Sequence, residues 1–152
     1  MTFRTILFLG VFIAFLLVAY FSRITSVTIC GNRFNVPADC SAQSPTYLKC
    51  ENYDLSWLHV DDNTHDYIVQ DLLLKREKEK RYKKTEIRCL LLNTESKGFK
   101  LTATTSFEKS CILIVHGKVN DQSVIVNLSM PYEPKTTKEL PKLIRQIIQL
   151  ND

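Results

Sequence analysis

The sequence predicts an α+β fold, in which an N-terminal transmembrane helix precedes an antiparallel sheet with two helices packed on one face. An uncharged apolar segment opens the chain, and it is followed by stretches whose apolar residues recur with a period of two and by others with helical spacing. The 152 residues are 45% hydrophobic and 24% charged, which is typical of globular proteins and excludes a collagen-like or wholly disordered chain. After the apolar segment, the remaining length allows one domain rather than two.

The N-terminal segment predicts insertion into a membrane. No charged residue lies between Arg4 and Arg23, and a helix over these residues would be about 27 Å long, close to the hydrocarbon thickness of a bilayer. A signal peptide would end in small residues, but bulky aromatic residues stand there instead. We therefore expect a signal anchor over residues 1–22, with 5–22 in the membrane; a cleaved signal peptide is the alternative.

The cysteines indicate the compartment of the rest of the chain. All of them follow the apolar segment, where an oxidising compartment would allow disulfides to form. A short N-terminal tail, one span and a long domain are typical of an exported C-terminal part. We expect residues 23–152 to form an extracytoplasmic domain, in the periplasm or an equivalent space, attached to the inner (plasma) membrane.

The first half of this domain shows strand patterns and then a helix. We predict a hairpin over residues 26–36 that turns at Gly31–Asn32, a loop over 38–50 and a strand over 53–60. Acidic and polar residues that suit a helix N-terminus follow, and the helical spacing begins near Tyr67. This helix is expected to continue through residues 75–84.

The second half returns to a period of two. We predict strands over 86–94 and 99–105 with a turn at 96–98, and a hairpin formed by 111–119 and 123–130. Thr136 or Thr137 is expected to cap a closing amphipathic helix, with Pro141 in its first turn.

This order of elements resembles the PsbP-like fold family. The resemblance lies in the strand CILIVHGKV, the turn NDQ, the strand SVIVNLSM, a loop with proline and the helix ELPKLIRQIIQL, together with the opening ICGNRFNVP. It covers about the last forty residues and the start of the domain, and it implies a fold only, since no invariant motif is shared. The cysteines and the apolar segment depart from the family's pattern.

Disulfide bonds are the first candidate role for the cysteines. Cys40 and Cys50 enclose a nine-residue loop that a disulfide would stabilise, and Cys89 and Cys111 lie in predicted strands that could be neighbours. Cys30 would then remain unpaired. Buried free thiols are the alternative, while metal or redox chemistry is disfavoured because no C-x-x-C pair is present.

The histidines and acids give no catalytic motif. His59, Asp61, Asp62 and His65 lie between a strand and a helix, where helix capping explains them more simply than a metal site. His116 lies in an apolar strand, where we expect a structural histidine. Hydrolase, metalloprotease and phosphate-loop motifs are absent from the sequence. The sequence therefore predicts no enzyme activity, no metal and no cofactor.

A basic run follows the predicted helix start. Residues 75–84 contain seven Lys or Arg and two Glu: the cations are Lys75, Arg76, Lys78, Lys80, Arg81, Lys83 and Lys84. Such a run is most often a solvated helix face, and contact with anionic lipid headgroups or an acidic partner is the functional alternative. Nucleic acid is not expected on the extracytoplasmic side.

These observations predict a membrane-anchored domain that binds another protein. The architecture is similar to that of membrane-anchored immunity proteins, which neutralise a secreted bacterial toxin in the periplasm. Two alternatives remain open: an accessory subunit of a membrane protein complex, and a domain that binds a small ligand or lipid between sheet and helices.

Overall fold

The computed structural model of the chain describes residues 24–79, 82–104 and 109–151. These residues form ten strands, one long helix and one short helix. The strands are β1 (Ser26–Ile29), β2 (Asn32–Asn35), β3 (Cys40–Ser44), β4 (Tyr47–Cys50), β5 (Asp54–Val60), β6 (Lys83–Leu91), β7 (Thr94–Thr104), β8 (Lys109–Val119), β9 (Gln122–Met130) and β10 (Ile148–Leu150). The helices are α1 (His65–Glu79) and α2 (Ile144–Ile147), and a 3-10 turn spans Thr137–Glu139.

Eight strands form one antiparallel sheet in the order β10-β6-β7-β8-β9-β5-β4-β3, while β1 and β2 form a separate hairpin. The described residues are thus mainly strand, and α1 is their only helix of more than four residues. The predicted α+β architecture with two helices on one face is wrong. Only α1 covers that face, and the C-terminal segment packs on the opposite one.

Both faces of the central strands are apolar, which explains why the sheet has a layer on each side. Cys111–Val115 of β8 are five consecutive buried residues, and Val124–Val126 of β9 are buried in the same way. Successive side chains of a strand point to opposite faces, so a continuous buried run requires cover on both. The sheet therefore forms the middle layer of three.

The helix α1 covers one face, which we call the helix face. Its Val69 and Leu73 are buried against residues of β7, β8 and β9, namely Leu101, Ile112, Ile114 and Ile125. These side chains occupy the space between helix and sheet. An apolar ligand at this place, as one of the alternative functions would require, would have to displace them.

The hairpin β1–β2 and the C-terminal segment cover the other face, which we call the hairpin face. Val27, Ile29 and Phe34 of the hairpin are buried here. From the C-terminal segment, Leu140, Leu143, Ile144, Ile147 and Ile148 are buried in the same cluster. Both segments contact the sheet through large apolar side chains, so neither is a peripheral addition.

The predicted closing helix over residues 138–150 is reduced to one turn. Leu140, which precedes Pro141, has an extended backbone (φ −70°, ψ 148°), as the ring of a following proline favours. The helix α2 starts only at Ile144, and at Ile148 the backbone is extended again (φ −124°, ψ 131°) and forms β10 along β6. The apolar spacing correctly indicated a buried segment. Beyond one helical turn, however, its backbone groups form hydrogen bonds with the edge strand β6 instead of continuing a helix.

The hairpin β6–β7 turns at a different place from the one predicted. Its turn is at Leu92–Asn93, where both residues have positive φ (51° and 66°), and β7 continues through the predicted turn at 96–98. Gly98 lies opposite Val115, and a Cβ atom at Gly98 would be 2.7 Å from the Ile114 carbonyl oxygen. The glycine thus allows close approach of two strands instead of forming a turn.

Two other connections also differ. The first hairpin turns at Cys30–Gly31, one residue before the predicted position, and the predicted loop over 38–50 contains the hairpin β3–β4. The helix α1 ends within the described residues at Glu79, and β6 begins at Lys83, so the helix does not continue to residue 84. The predicted strand at 53–60 and the hairpin of 111–119 with 123–130 are confirmed by β5, β8 and β9.

The predicted signal anchor lies outside the described residues, as does Arg23. Among the residues that are described, no helix has the length and apolar character to cross a bilayer. The division into a segment 1–22 and a domain 23–152 therefore stays a prediction.

The sheet has two ends, which we call the entry end and the far end. The entry end is the one near which the described chain begins: the Thr25 carbonyl, just before β1, accepts a hydrogen bond from the Val36 N–H, and the Pro37 carbonyl accepts one from the N–H of Cys40, the first residue of β3. The far end holds the turns at Leu92–Asn93 and Asn120–Asp121. The helix α1 runs from the far end back to the entry end, because β5 ends at the far end and β6 begins at the entry end.

Replacing Ile144 by alanine tests whether the C-terminal segment is part of the core. Ile144 is completely buried, so Ile144→Ala should lower the free energy of unfolding by about 2–5 kcal/mol. Denaturant unfolding of the full chain can be followed by fluorescence of Trp57, the single tryptophan, which is buried. The neighbouring exposed Arg145→Ala is the control, and equal unfolding midpoints would contradict the assignment.

Candidate functional site

A large open concavity lies at the far end of the sheet. Three connections form it: the turn at Cys30–Gly31, the connection from Val60 to Thr64 and the turn at Asn120–Asp121. Its volume is ≈ 1210 Å³, and it is open to solvent. We call it the loop concavity. It lies at the end of the sheet opposite to the one at which the described chain enters.

The turns of the loop concavity are tight and mutually bonded. Cys30, Gly31, Asn120 and Asp121 all have positive φ, as two-residue hairpin turns require. The Asn120 side-chain amide donates a hydrogen bond of 2.9 Å to the Cys30 carbonyl, which joins the separate β1–β2 hairpin to the sheet. Asn32 donates to the same carbonyl at 3.3 Å. The backbone on two sides of the concavity is therefore held in place.

Asp62 anchors the third side. Its carboxylate pairs with the Lys118 ammonium at 2.7 Å and accepts a hydrogen bond from the Ser123 hydroxyl. These two hydrogen bonds, with the charge of Lys118, hold the pKa of Asp62 below its usual value. Asp62 is thereby an ionised, structural group that attaches the connection before α1 to β8 and β9.

The surface of the loop concavity combines apolar and acidic groups. Leu58 contributes a large side chain that is 49% exposed, and Ile68 of α1 lies beside the same space. Asp61 and Asp121 add exposed carboxylates. Lys118 is paired with Asp62, so the concavity is apolar at one side and acidic around it.

The predicted polar cluster is only partly assembled. His59, Asp61 and Asp62 line the loop concavity, while the His65 ring nitrogen Nδ1 lies 3.1 Å from the Asp66 carboxylate. Within the described residues no group of three His, Cys, Asp or Glu side chains is arranged to hold a metal ion. At the start of α1 the Asp61 backbone carbonyl accepts hydrogen bonds from the backbone N–H groups of Thr64 and His65. Capping of the helix by the side chains of this cluster stays a prediction.

His116 stacks in a short row of rings under α1. Its ring centroid is 5.0 Å from that of His65 and 6.0 Å from that of Phe99. Burial, with further contributions from His65 and Lys97, lowers the pKa of His116 against an opposing effect of Asp66. The Nε2 atom of His65 is buried and has no hydrogen-bond partner. The burial of His116 and its contact with His65 therefore favour the neutral form of His116.

The predicted basic run does not form one continuous face. Lys75 pairs with Asp71 at 2.7 Å, and Lys84 pairs with Glu77 at 2.9 Å. Lys83 and Lys84 are consecutive in β6 and point to opposite faces of the sheet. Lys78 is exposed and Arg76 half-buried on α1, while Lys80 and Arg81 lie outside the described residues.

The cysteines are divided between a disulfide and buried thiols. Cys40 and Cys50 form the predicted disulfide and face each other across β3 and β4. Cys89 and Cys111 remain free, because β7 separates their strands. Burial raises the pKa of Cys89 to about 11 and that of Cys111 to about 12, so both are protonated at neutral pH. Cys30 is also a free, buried thiol.

Sequence reasoning missed several residues of the loop concavity. Leu58 was predicted only as part of the strand over 53–60, and it lies on the helix face beyond the cover of α1. Lys118, Ser123 and Asn120 join the concavity only through contacts that span 56 to 90 residues along the chain. No local pattern could have revealed these contacts.

The lowered pKa of His116 predicts a loss of stability at mildly acidic pH. In the unfolded chain this histidine has its ordinary pKa near 6.5 and binds a proton more readily than in the folded chain. The free energy of unfolding should therefore fall as the pH decreases from about 6.5 towards the lowered value of the folded state. The loss should be smaller in His116→Gln and unchanged in the exposed His59→Gln, as measured by denaturant unfolding at pH 7.5 and 5.5. Equal losses in all three proteins would contradict this prediction.

No protein-family model matches the chain, and no curated protein matches it. The resemblance to the PsbP-like fold and the similarity to immunity proteins therefore stay predictions.

Proposed function

We propose that this chain is a membrane-attached, extracytoplasmic domain that binds another protein through the loop concavity, without catalysing a reaction. Within this class we propose the role of an immunity protein that neutralises a secreted bacterial toxin. One observation carries the proposal: the large apolar side chain of Leu58 is exposed inside the open loop concavity. The backbone around this concavity is held by hydrogen bonds, and the concavity lies at the far end of the sheet, away from the place where the described chain begins.

The composition of the loop concavity supports a protein as its ligand. Interfaces between proteins combine a central apolar anchor with a polar rim, and Leu58 surrounded by Asp61 and Asp121 provides that combination. The acidic rim complements a partner with basic residues around an apolar contact. The openness of the concavity suits a protruding surface of a folded partner rather than an enclosed small molecule.

The titratable groups of the concavity support binding rather than catalysis. A general base must be free to accept a proton near the pH at which it operates. Asp62 is instead engaged by Lys118 and Ser123, and its pKa is lowered. His65 is directed towards Asp66 and His116.

Two features support the proposed location. The apolar segment 5–22 has the length to attach the chain to a bilayer, and the described chain enters at the end opposite the loop concavity. The concavity would then face away from the membrane. The disulfide Cys40–Cys50 is of a kind that persists in oxidising compartments.

The state of the cysteines in cells tests the location. Cells are quenched in acid, and the denatured full chain is alkylated before and after reduction and weighed by mass spectrometry. We expect three alkylated cysteines before reduction and all five after it. Before reduction, Cys40→Ala should give four alkylated cysteines, because Cys50 loses its disulfide partner. Cys30→Ala should give two, because it removes one of the three free thiols. Five labels without reduction would place the domain in a reducing compartment and overturn the proposal.

Site-specific crosslinking tests the loop concavity as the binding surface. A photoreactive amino acid replaces Leu58 in the full chain, in its native membrane, and in a matched control it replaces Leu74, which is also exposed but lies on α1. We expect a single protein adduct from position 58 and none from position 74. No adduct from position 58, or the same adducts from both, would contradict the assigned surface.

The captured protein then decides the role. Directed to the extracytoplasmic side, it should be toxic alone and harmless beside this chain. Leu58→Glu should abolish protection, because it replaces the central apolar contact with a charge that the bound partner would cut off from water, while Leu74→Glu should retain it. Capture of a membrane subunit without toxicity would replace the immunity role with that of an accessory subunit.

A further inference from the structure

We propose that a pocket of lysine residues at the entry end binds the phosphate headgroup of an anionic lipid in the membrane to which the chain is attached. This inference rests on the membrane attachment proposed above and adds a second surface to it. The pocket has a volume of ≈ 230 Å³ and is lined by Thr102, Lys109, Ser110, Tyr132, Glu133 and Lys135. We call it the lysine pocket.

Several lysines lie around the Glu133 carboxylate in this pocket. Lys100 forms an ion pair of 2.8 Å with Glu133. The hydrogen bond from Lys100, with the charges of Lys100, Lys135 and Lys83, lowers the pKa of Glu133 although partial burial opposes this. Lys109 lines the same space. Glu133 is the one acid among the described residues that line the pocket, and the Glu139 carboxylate lies next to the pocket, 2.8 Å from the backbone nitrogen of Lys135. Three lysines, Lys100, Lys109 and Lys135, are therefore near two carboxylates, which leaves an excess of positive charge.

The remaining groups suit a phosphate. Thr102 and Ser110 line the pocket and carry hydroxyl groups, while the Tyr132 hydroxyl donates a hydrogen bond of 3.1 Å to the Glu139 carbonyl oxygen and is not counted as a donor for phosphate. Ammonium and hydroxyl donors are the groups that bind phosphate oxygens in proteins. The small volume accommodates a headgroup rather than a protein surface.

The position of the pocket selects the membrane as the source of the phosphate. Lys109 is the first residue of β8, and Lys83 is the first of β6, so both lie at the entry end. The described chain enters at this end through Thr25, and the uncharged segment 5–22 precedes it. Lysines next to a membrane attachment are attracted to anionic headgroups.

Chemical labelling of lysine amines tests this inference on the full chain. The protein is reconstituted into vesicles of phosphatidylcholine alone or mixed with phosphatidylglycerol, acetylated briefly and mapped by mass spectrometry. We expect labelling of Lys109 and Lys135 to fall severalfold in the anionic vesicles. The exposed Lys138 and Lys142 are internal references and should react equally in both.

A pair of matched double variants provides a second readout. Phosphatidylglycerol that remains with the chain after detergent extraction should decrease severalfold in Lys109→Gln/Lys135→Gln. It should not change in Lys138→Gln/Lys142→Gln, which removes the same charge from exposed positions nearby in the sequence. Equal retention by both variants would overturn the lysine pocket.

The outcomes of these experiments distinguish membrane attachment from the lysine pocket, and a lipid headgroup from free inorganic phosphate. A chain that does not float with phosphatidylcholine vesicles overturns membrane attachment. A chain that floats, but whose Lys109 and Lys135 are labelled equally in both vesicles, overturns the lysine pocket alone. Inorganic phosphate added to phosphatidylcholine vesicles should protect these lysines poorly, and protection equal to that by phosphatidylglycerol would overturn the headgroup as the ligand.

Discussion

Burial of the central strands on both faces is the constraint on which the rest of this structure depends. β8 carries buried side chains at five consecutive positions, Cys111–Val115, so each face of the sheet must be covered. A single long helix covers one face. The other face needs a larger set of apolar side chains, and the β1–β2 hairpin and the C-terminal segment provide it together. The β1–β2 hairpin and the C-terminal segment, which are distant in sequence, therefore pack together in one layer on the hairpin face.

This arrangement also fixes the loop concavity. The β1–β2 hairpin is outside the main sheet, yet its turn is placed by Val27 and Ile29 in the core and by the bond from Asn120 to the Cys30 carbonyl. The connection before α1 is placed by Asp62 and Lys118 in a similar way. A concave surface with fixed backbone loses little conformational entropy when a partner binds, which favours recognition of a folded surface.

The features that the sequence predicted well are local. They depend on short segments or on pairs that are close in sequence: the strands β5, β8 and β9, the helix α1 and the disulfide Cys40–Cys50. The closing helix was predicted wrongly, because its apolar spacing is compatible with a helix while Pro141 and the free edge of β6 favour extended structure at its two ends. The turn at Leu92 gave no signal, since a bulky residue seldom has positive φ. The loop concavity depends on contacts between distant segments, which periodicity does not encode.

The two proposed surfaces differ in charge and lie at opposite ends of the same sheet. The loop concavity is bordered by Asp61 and Asp121, whereas Lys109 and Lys135 line the lysine pocket. A bilayer with anionic lipids would attract the lysine pocket and repel the acidic rim of the loop concavity, so both surfaces favour the orientation given by the chain entry at Thr25. Each contribution is modest for exposed charges. Under the proposed membrane attachment their agreement matters, because a domain attached at one point could tilt. Contact at the lysine pocket would then keep the acidic concavity turned away from the bilayer, towards the proposed partner.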